Sequence, residues 1–274
     1  MYNLKVETFP SGMTRINYYE YPVSKQSGKR TVEMVTNPFD GEKVRVVKEF
    51  SFENERSLHV SMKRSQKMVY NYALSNGWDW FVTLTFNPKK VDRYDYEACE
   101  KALKTFIDAT RRKCPDMRYI FVPELHEDGA FHFHGLIADC YELEFVYSGH
   151  VKKKRRVYNI PGFKYGFTTA TKVSDSKKSA GYLSKYITKA LCQVSVNKKR
   201  YWASRNLELP KVEHAVVILG GNKDEILDNI YDVCSYYKEV VSPYHGMSSH
   251  LFEFSGKVTM GIENFARWIL EYIV

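Results

Sequence analysis

Trp80–Phe86 reads WFVTLTF, a run of β-branched and aromatic residues closed by Asn87-Pro88, and it predicts a buried central strand. Ahead of it, Leu58, Met62, Val69, Tyr72 and Ala73 recur at helical spacing, predicting a helix over Glu53–Asn76 that stops at Asn76-Gly77. The other face of that helix carries Arg56, Lys63, Arg64 and Lys67, a pattern that suits solvent or phosphate contact. A second helix is predicted from Tyr96 to Lys113, capped by Asp95 and stopped at Cys114-Pro115, with Leu103, Phe106 and Ile107 turned to the sheet. A hairpin over Tyr119–Ala138, a strand at Tyr165–Lys172 and a helix at Ser176–Leu191 follow.

The flanks are patterned less strongly. Leu4–Phe9, Met13–Tyr19, Thr31–Val35 and Val44–Phe50 alternate over short pieces between the turn signals Pro10-Ser11-Gly12 and Asn37-Pro38. Ser24–Arg30 (SKQSGKR) reads as a mobile basic loop. Towards the other end, Glu213–Leu219 reads as a strand, and Asp224–Tyr237 and Ile262–Ile273 as helices. The division expected from this is an extension over 1–50, a central domain over 51–200 and an accessory region over 201–274.

Charge narrows the partner. Lysines and arginines outnumber acids 41 to 32, a formal net charge of +9, and 21 tyrosines add rings suited to stacking on bases. A basic cluster, Lys152, Lys153, Lys154, Arg155 and Arg156, marks one place for a polyanion. The five cysteines are scattered, with neither a disulfide framework nor a zinc knuckle, which fits a reducing cytoplasm. No apolar run reaches a membrane span, and the N-terminus has no apolar signal core. A GxxxxGK[ST] phosphate loop is missing, so a fused helicase module is not expected.

His132-Phe133-His134 lies on the second strand of the hairpin. Strand side chains alternate faces, so the two imidazoles point the same way. A two-residue turn at Asp128-Gly129 would turn Glu124 away from them. A three-residue loop, Asp128–Ala130, would pair Glu124 with His134 and His126 with His132, setting all four on one face. That longer loop is the one expected. It makes Glu124, His132 and His134 a half-open shell for a divalent ion, with His126 as a spare ligand or a support. The alternative is a pair of ordinary strand histidines.

In Ala180–Lys189 (AGYLSKYITK), Tyr182 and Tyr186 share a helix face, and Lys185 and Lys189 each follow a tyrosine by three. A cation near a phenol favours phenolate, and a metal on a phosphate sharpens the electrophile. Tyrosine, lysine and a divalent metal together suit attack on a DNA phosphodiester. The bland alternative is an amphipathic helix with tyrosine anchors and solvated lysines.

Three motifs in order over Trp80–Lys189 resemble the HUH endonucleases, in particular the rolling-circle replication initiators (Rep proteins) of small phages, plasmids and circular single-stranded DNA viruses. Phe81–Phe86 is similar to their first motif, His132-Phe133-His134 with Glu124 to their metal motif, and Tyr182-Leu183-Ser184-Lys185-Tyr186 to their nucleophile motif of the two-tyrosine, phage type. The resemblance implies an α+β fold, with an antiparallel sheet of about five strands flanked by helices and the histidines on a central strand. The strand–helix–hairpin–strand–helix order is compatible with that fold. It implies Mg²⁺ or Mn²⁺ at Glu124, His132 and His134. It further implies attack by Tyr182 or Tyr186 on single-stranded origin DNA, such as a stem-loop, leaving a 5′-phosphotyrosine and a 3′-hydroxyl primer, with later rejoining. Lys185 or Lys189 would assist the phenolate or hold the phosphate, and Lys152–Arg156 with Lys177 and Lys178 would contact the origin. A host helicase and polymerase, in a host cytoplasm, are the implied partners. Competing expectations are a mobilisation relaxase, which usually sets its tyrosine before the histidines, a two-tyrosine transposase, which carries a cysteine-rich region, and a non-catalytic nucleic-acid-binding module on the same fold.

Overall fold

The computed structural model describes residues 1–23, 32–36, 43–47, 55–195, 198–217, 223–241 and 246–255. In chain order its elements begin with β1 (Tyr2–Thr8), β2 (Thr14–Val23), β3 (Val32–Thr36), β4 (Lys43–Val47), α1 (Glu55–Ser75), β5 (Trp80–Phe86) and α2 (Tyr96–Lys113). They continue with β6 (Arg118–Leu125), β7 (Phe131–Ala138), β8 (Val146–Lys152), β9 (Arg155–Asn159), β10 (Gly166–Lys172), α3 (Ser176–Lys185) and α4 (Lys189–Val194). The last are β11 (Trp202–Ala203), β12 (Lys211–Ala215), α5 (Lys223–Val233), β13 (Tyr236–Val241) and β14 (Ser248–Phe254). The fold is α+β with antiparallel sheets. The chain divides into two compact units, one over Glu55–Leu209 and one built from Met1–Asn54 and Pro210–Val274.

The central unit is a seven-stranded sheet in the order β11-β6-β7-β5-β10-β9-β8. β5 alternates as its sequence demands. Trp80, Val82, Leu84 and Phe86 are buried against α2, where Cys99, Ala102, Leu103, Phe106 and Ile107 complete a core with Phe121, Phe133 and Ile137. The alternate residues Phe81, Thr83 and Thr85 face the other side. Register then fixes their neighbours, Leu136, His134 and His132 across β7, and Thr171, Thr169 and Phe167 across β10. One face of the sheet is thus core and the other is chemistry. Directly after His134, Gly135 lets β6 and β7 close, since a Cβ there would meet the Phe121 ring at 2.4 Å.

α2 begins where the sequence places it, with the Asp95 carboxylate accepting the Glu97 N–H at 2.9 Å. The expected single helix over Ser176–Leu191 is instead two. α3 ends at Lys185, with Tyr186 as its C-cap, and α4 restarts at Lys189. Thr188 is the cause, because its hydroxyl caps the new helix by accepting the Leu191 N–H at 3.1 Å, while the Gln66 amide satisfies the Ile187 carbonyl at 2.8 Å. The β8–β9 hairpin and the strands β13 and β14 were not foreseen, and Tyr236-Tyr237, expected at a helix end, are strand. The expected loop over Ser24–Arg30 and helix over Ile262–Ile273 lie outside the described residues.

The second unit is a five-stranded antiparallel sheet in the order β12-β1-β2-β14-β13, drawing on both ends of the chain. Leu4, Val6, Ile16, Tyr18, Phe252 and Phe254 form its core with Ile230 of α5. On these three central strands Glu7, Arg15 and Glu253 stand in register, and the buried guanidinium of Arg15 bridges the two carboxylates at 3.4 and 3.1 Å. Unpaired, any one of these buried charges would be strongly unfavourable. Among the described residues, no helix is long and apolar enough to cross a membrane.

Candidate active site

The loop between β6 and β7 spans three residues, but not the three expected. The His126 N–H donates to the Ala130 carbonyl at 2.9 Å, so the loop is Glu127–Gly129, with Gly129 at φ 83°. Asp128 closes it, accepting from the Ala130 N–H at 3.0 Å and lying 3.2 Å from His126 Nδ1. The register slides by two residues from the expected one, to Glu124 opposite His132 and Val122 opposite His134. A slide of two preserves the faces, so Glu124, His132 and His134 still share one side.

Their contacts differ. Glu124 Oε2 lies 2.7 Å from His134 Nε2, and Thr83 Oγ1 lies 3.1 Å from His134 Nδ1. The hydrogen bond from His134, ahead of the opposing effect of partial burial, holds the Glu124 carboxyl below its ordinary pKa, so it is a carboxylate acceptor. Nε2 of His134 therefore carries the proton, and Nδ1 accepts from the threonine hydroxyl. His132 is half-buried, and burial lowers its pKa, which keeps the ring neutral as a metal ligand must be. His126 is exposed and stacks on His132 with ring centres 5.4 Å apart. The donor types fit a divalent ion, and two donor atoms already converge. Among the described residues, however, no group of three His, Cys, Asp or Glu side chains stands arranged to hold a metal ion. Glu124 and His134 spend their converging atoms on each other.

Tyr182 and Tyr186 lie over this face. The Tyr186 ring stacks flat on His134, centres 3.7 Å apart and planes within 4°, and the Tyr182 ring meets Tyr186 edge-on at 5.2 Å and Phe81 at 5.4 Å. The two phenols are not equivalent. Tyr182 is 53% exposed. Tyr186 is half-buried, and burial, then a hydrogen bond with Tyr182, then the Glu124 charge push its pKa well above the ordinary tyrosine value. No phenolate is favoured at Tyr186, contrary to what a neighbouring lysine alone would suggest.

These groups share a cavity of ≈ 670 Å³. Phe81, Thr83, His134, Thr169 and Thr171 line it from the sheet, and Tyr182 and Tyr186 from α3 and its cap. Its rim is cationic. Lys152, Lys153 and Arg155 come from the β8–β9 hairpin, Lys172 from β10 and Lys178 from α3. Arg155 is steadied by the Ser174 hydroxyl at 2.8 Å, and Lys172 sits 3.8 Å above the Trp80 ring. Of the expected origin contacts, Lys154, Arg156 and Lys177 are exposed but do not line the cavity, and Arg156 lies over the Tyr147 ring instead. Lys185 is exposed at the end of α3 and is not a lining residue, and the side chain of Lys189 lies outside the described residues. Sequence reasoning missed Lys172 and the threonine floor; the period-two pattern of Thr83, Thr169 and Thr171 was the available signal.

Comparison with known proteins comes down to this region. No curated protein and no solved structure matches the chain. Residues 79–191, which run from β5 through the histidine strand and both tyrosines into α4, match the family described as Replication-associated protein, of the ORF2 type, so this stretch is similar to proteins associated with replication.

Proposed function

We propose that the Glu55–Leu209 unit is a replication initiator of the HUH type, which nicks single-stranded DNA at an origin and later rejoins it. The observation that carries this reading is the shared cavity, in which two phenols, the histidine face and a cationic rim meet. Lys152, Lys153, Arg155, Lys172 and Lys178 would hold the DNA backbone. Tyr182, exposed at the mouth, would attack the phosphorus. The Tyr182 O–P bond forms, the bond to the 3′ oxygen breaks, and the phenolic proton passes overall to that oxygen. The products are a 5′-phosphotyrosine and a 3′-hydroxyl, and the retained ester energy lets a later hydroxyl rejoin the strand. Tyr186, buried on His134, would be held for a second cleavage. Glu124, His132 and His134 would hold Mg²⁺ or Mn²⁺, which when bound polarises the phosphate oxygens. Holding it requires the Glu124–His134 hydrogen bond to open.

The test is covalent-adduct formation on single-stranded stem-loop and phage-origin oligonucleotides with Mn²⁺, read on a denaturing gel. The expected result is an adduct that a chelator abolishes, that Tyr182→Phe loses, and that Tyr186→Phe retains in a first turnover. Adduct surviving in the Tyr182→Phe/Tyr186→Phe double variant would remove both nucleophile assignments. DNA binding without any adduct would favour a non-catalytic nucleic-acid-binding module.

A further inference from the structure

A second cavity, of ≈ 720 Å³, opens at the β11 edge of the seven-stranded sheet. Four rings line it, Tyr72 of α1, Tyr119 of β6, Tyr201 and Trp202, together with four cations, Arg111, Lys199, Arg200 and Arg205. No acid is among the lining residues. Among the described residues none of these four cations forms an ion pair, and Arg200 is held by the Ser61 hydroxyl at 2.6 Å. Tyr72 and Tyr201 stand 6.3 Å apart with tilted planes, leaving open ring surface at the half-buried edge of the cavity. Arg111 and Arg205 both act on the Tyr119 hydroxyl, against burial and the nearby charge of Asp108, so their charge falls on the rings and not only on solvent. Tyr72 and residues 199–205 also lie outside the stretch that matches the replication-associated family.

We propose that this cavity is a second single-stranded DNA site, which binds unpaired bases on its rings and the flanking phosphates on its arginines. Stacking on aromatic rings is worth about 1–3 kcal/mol per base, tolerates any sequence and requires bases free of a duplex. Cations without acidic partners supply the phosphate contacts that such a groove needs. The two cavities lie towards different edges of one rigid sheet, so a strand engaged at the tyrosines would be held again at some distance from the scissile bond. The choice of DNA over RNA rests on the reading of the first cavity; the class of ligand does not.

The test uses the full chain, without metal, and fluorescence anisotropy on two oligonucleotides. One is of roughly 10 nucleotides, the scale of a single such site, and the other is several times longer. Arg111→Ala/Arg205→Ala, both exposed positions, is expected to weaken the long oligonucleotide about tenfold and to reduce its log–log salt slope by about 0.7 per arginine. Tyr201→Leu should give a similar loss without the change in slope. Short-oligonucleotide binding and adduct formation on it should stay unchanged. Equal affinity of wild type and double variant for the long strand would overturn the proposal, and a loss confined to RNA of the same sequence would overturn the ligand assignment. If no adduct forms on any substrate but the length-dependent loss persists, this site stands and the nicking reading fails.

Discussion

Thr83 decides how His134 presents itself. Its hydroxyl can donate to Nδ1, as it does with Nε2 protonated on Glu124, or accept from it once Nε2 is needed as a ligand. Thr83→Val keeps shape and removes both options. Adduct formation is expected to fall roughly 10- to 100-fold, as for other partners of metal-ligating histidines, with little change in thermal unfolding and with rescue by Thr83→Ser. Glu124, His132 and His134 were legible in the sequence because strand alternation depends on residue parity alone. The pairing of Glu124 with His132 was not, since Asp128 reached back to His126 and moved the loop by one residue. The inequality of the tyrosines was equally hidden. Spacing gives a shared face, while the stacking of Tyr186 on His134 depends on which helix end lies over the sheet.

At the scale of elements, the β8–β9 hairpin turns on Lys153 and Lys154, both left-handed, at φ 48° and 62°. A two-residue turn of this hand favours Asn-Gly, and a left-handed residue other than glycine costs roughly 1–2 kcal/mol. The hairpin therefore sacrifices stability to set cations at the rim of the cavity. Lys153→Asn/Lys154→Gly is expected to raise the urea midpoint by the equivalent of about 1 kcal/mol. The same variant should bind single-stranded DNA several-fold more weakly in low-salt anisotropy. Exchange of turn residues that lowered both would remove this account. Such a hairpin escapes a sequence reading because its turn residues are the wrong ones and its strands are mostly solvent-facing, leaving no alternation to read. The break after α3 escaped for another reason. Thr188 is tolerable inside a helix, and its role as a cap appears only with the Gln66 contact. By contrast β5 and α2, with strong periodicity and a clear Asp95 cap, stand where their residues put them.

Over the whole molecule, the two ends of the chain join in one sheet, with Leu4 paired to Ala215 and Ile16 to Phe252. Local pattern reveals each strand but not a partner more than two hundred residues away, so the flanks read as separate segments. Each unit has its own core. A chain lacking residues 1–23 is expected to lose the smaller unit, since β12 and β14 lose their partners, and to keep adduct formation. Calorimetry should show the fate of the smaller unit, and loss of all cooperative unfolding would refute the independence of the cores.

That pairing also sets an order of events during synthesis. At roughly 5–20 residues per second, β1 and β2 leave the ribosome many seconds before the strands that will flank them. The nicking unit, complete by Leu209, can fold in that interval, while the hairpin at the N-terminus waits with both its edges open. The charged row of Glu7 and Arg15 on those waiting strands then has a use beyond the finished fold, because a flat apolar edge in its place would invite pairing between neighbouring nascent chains.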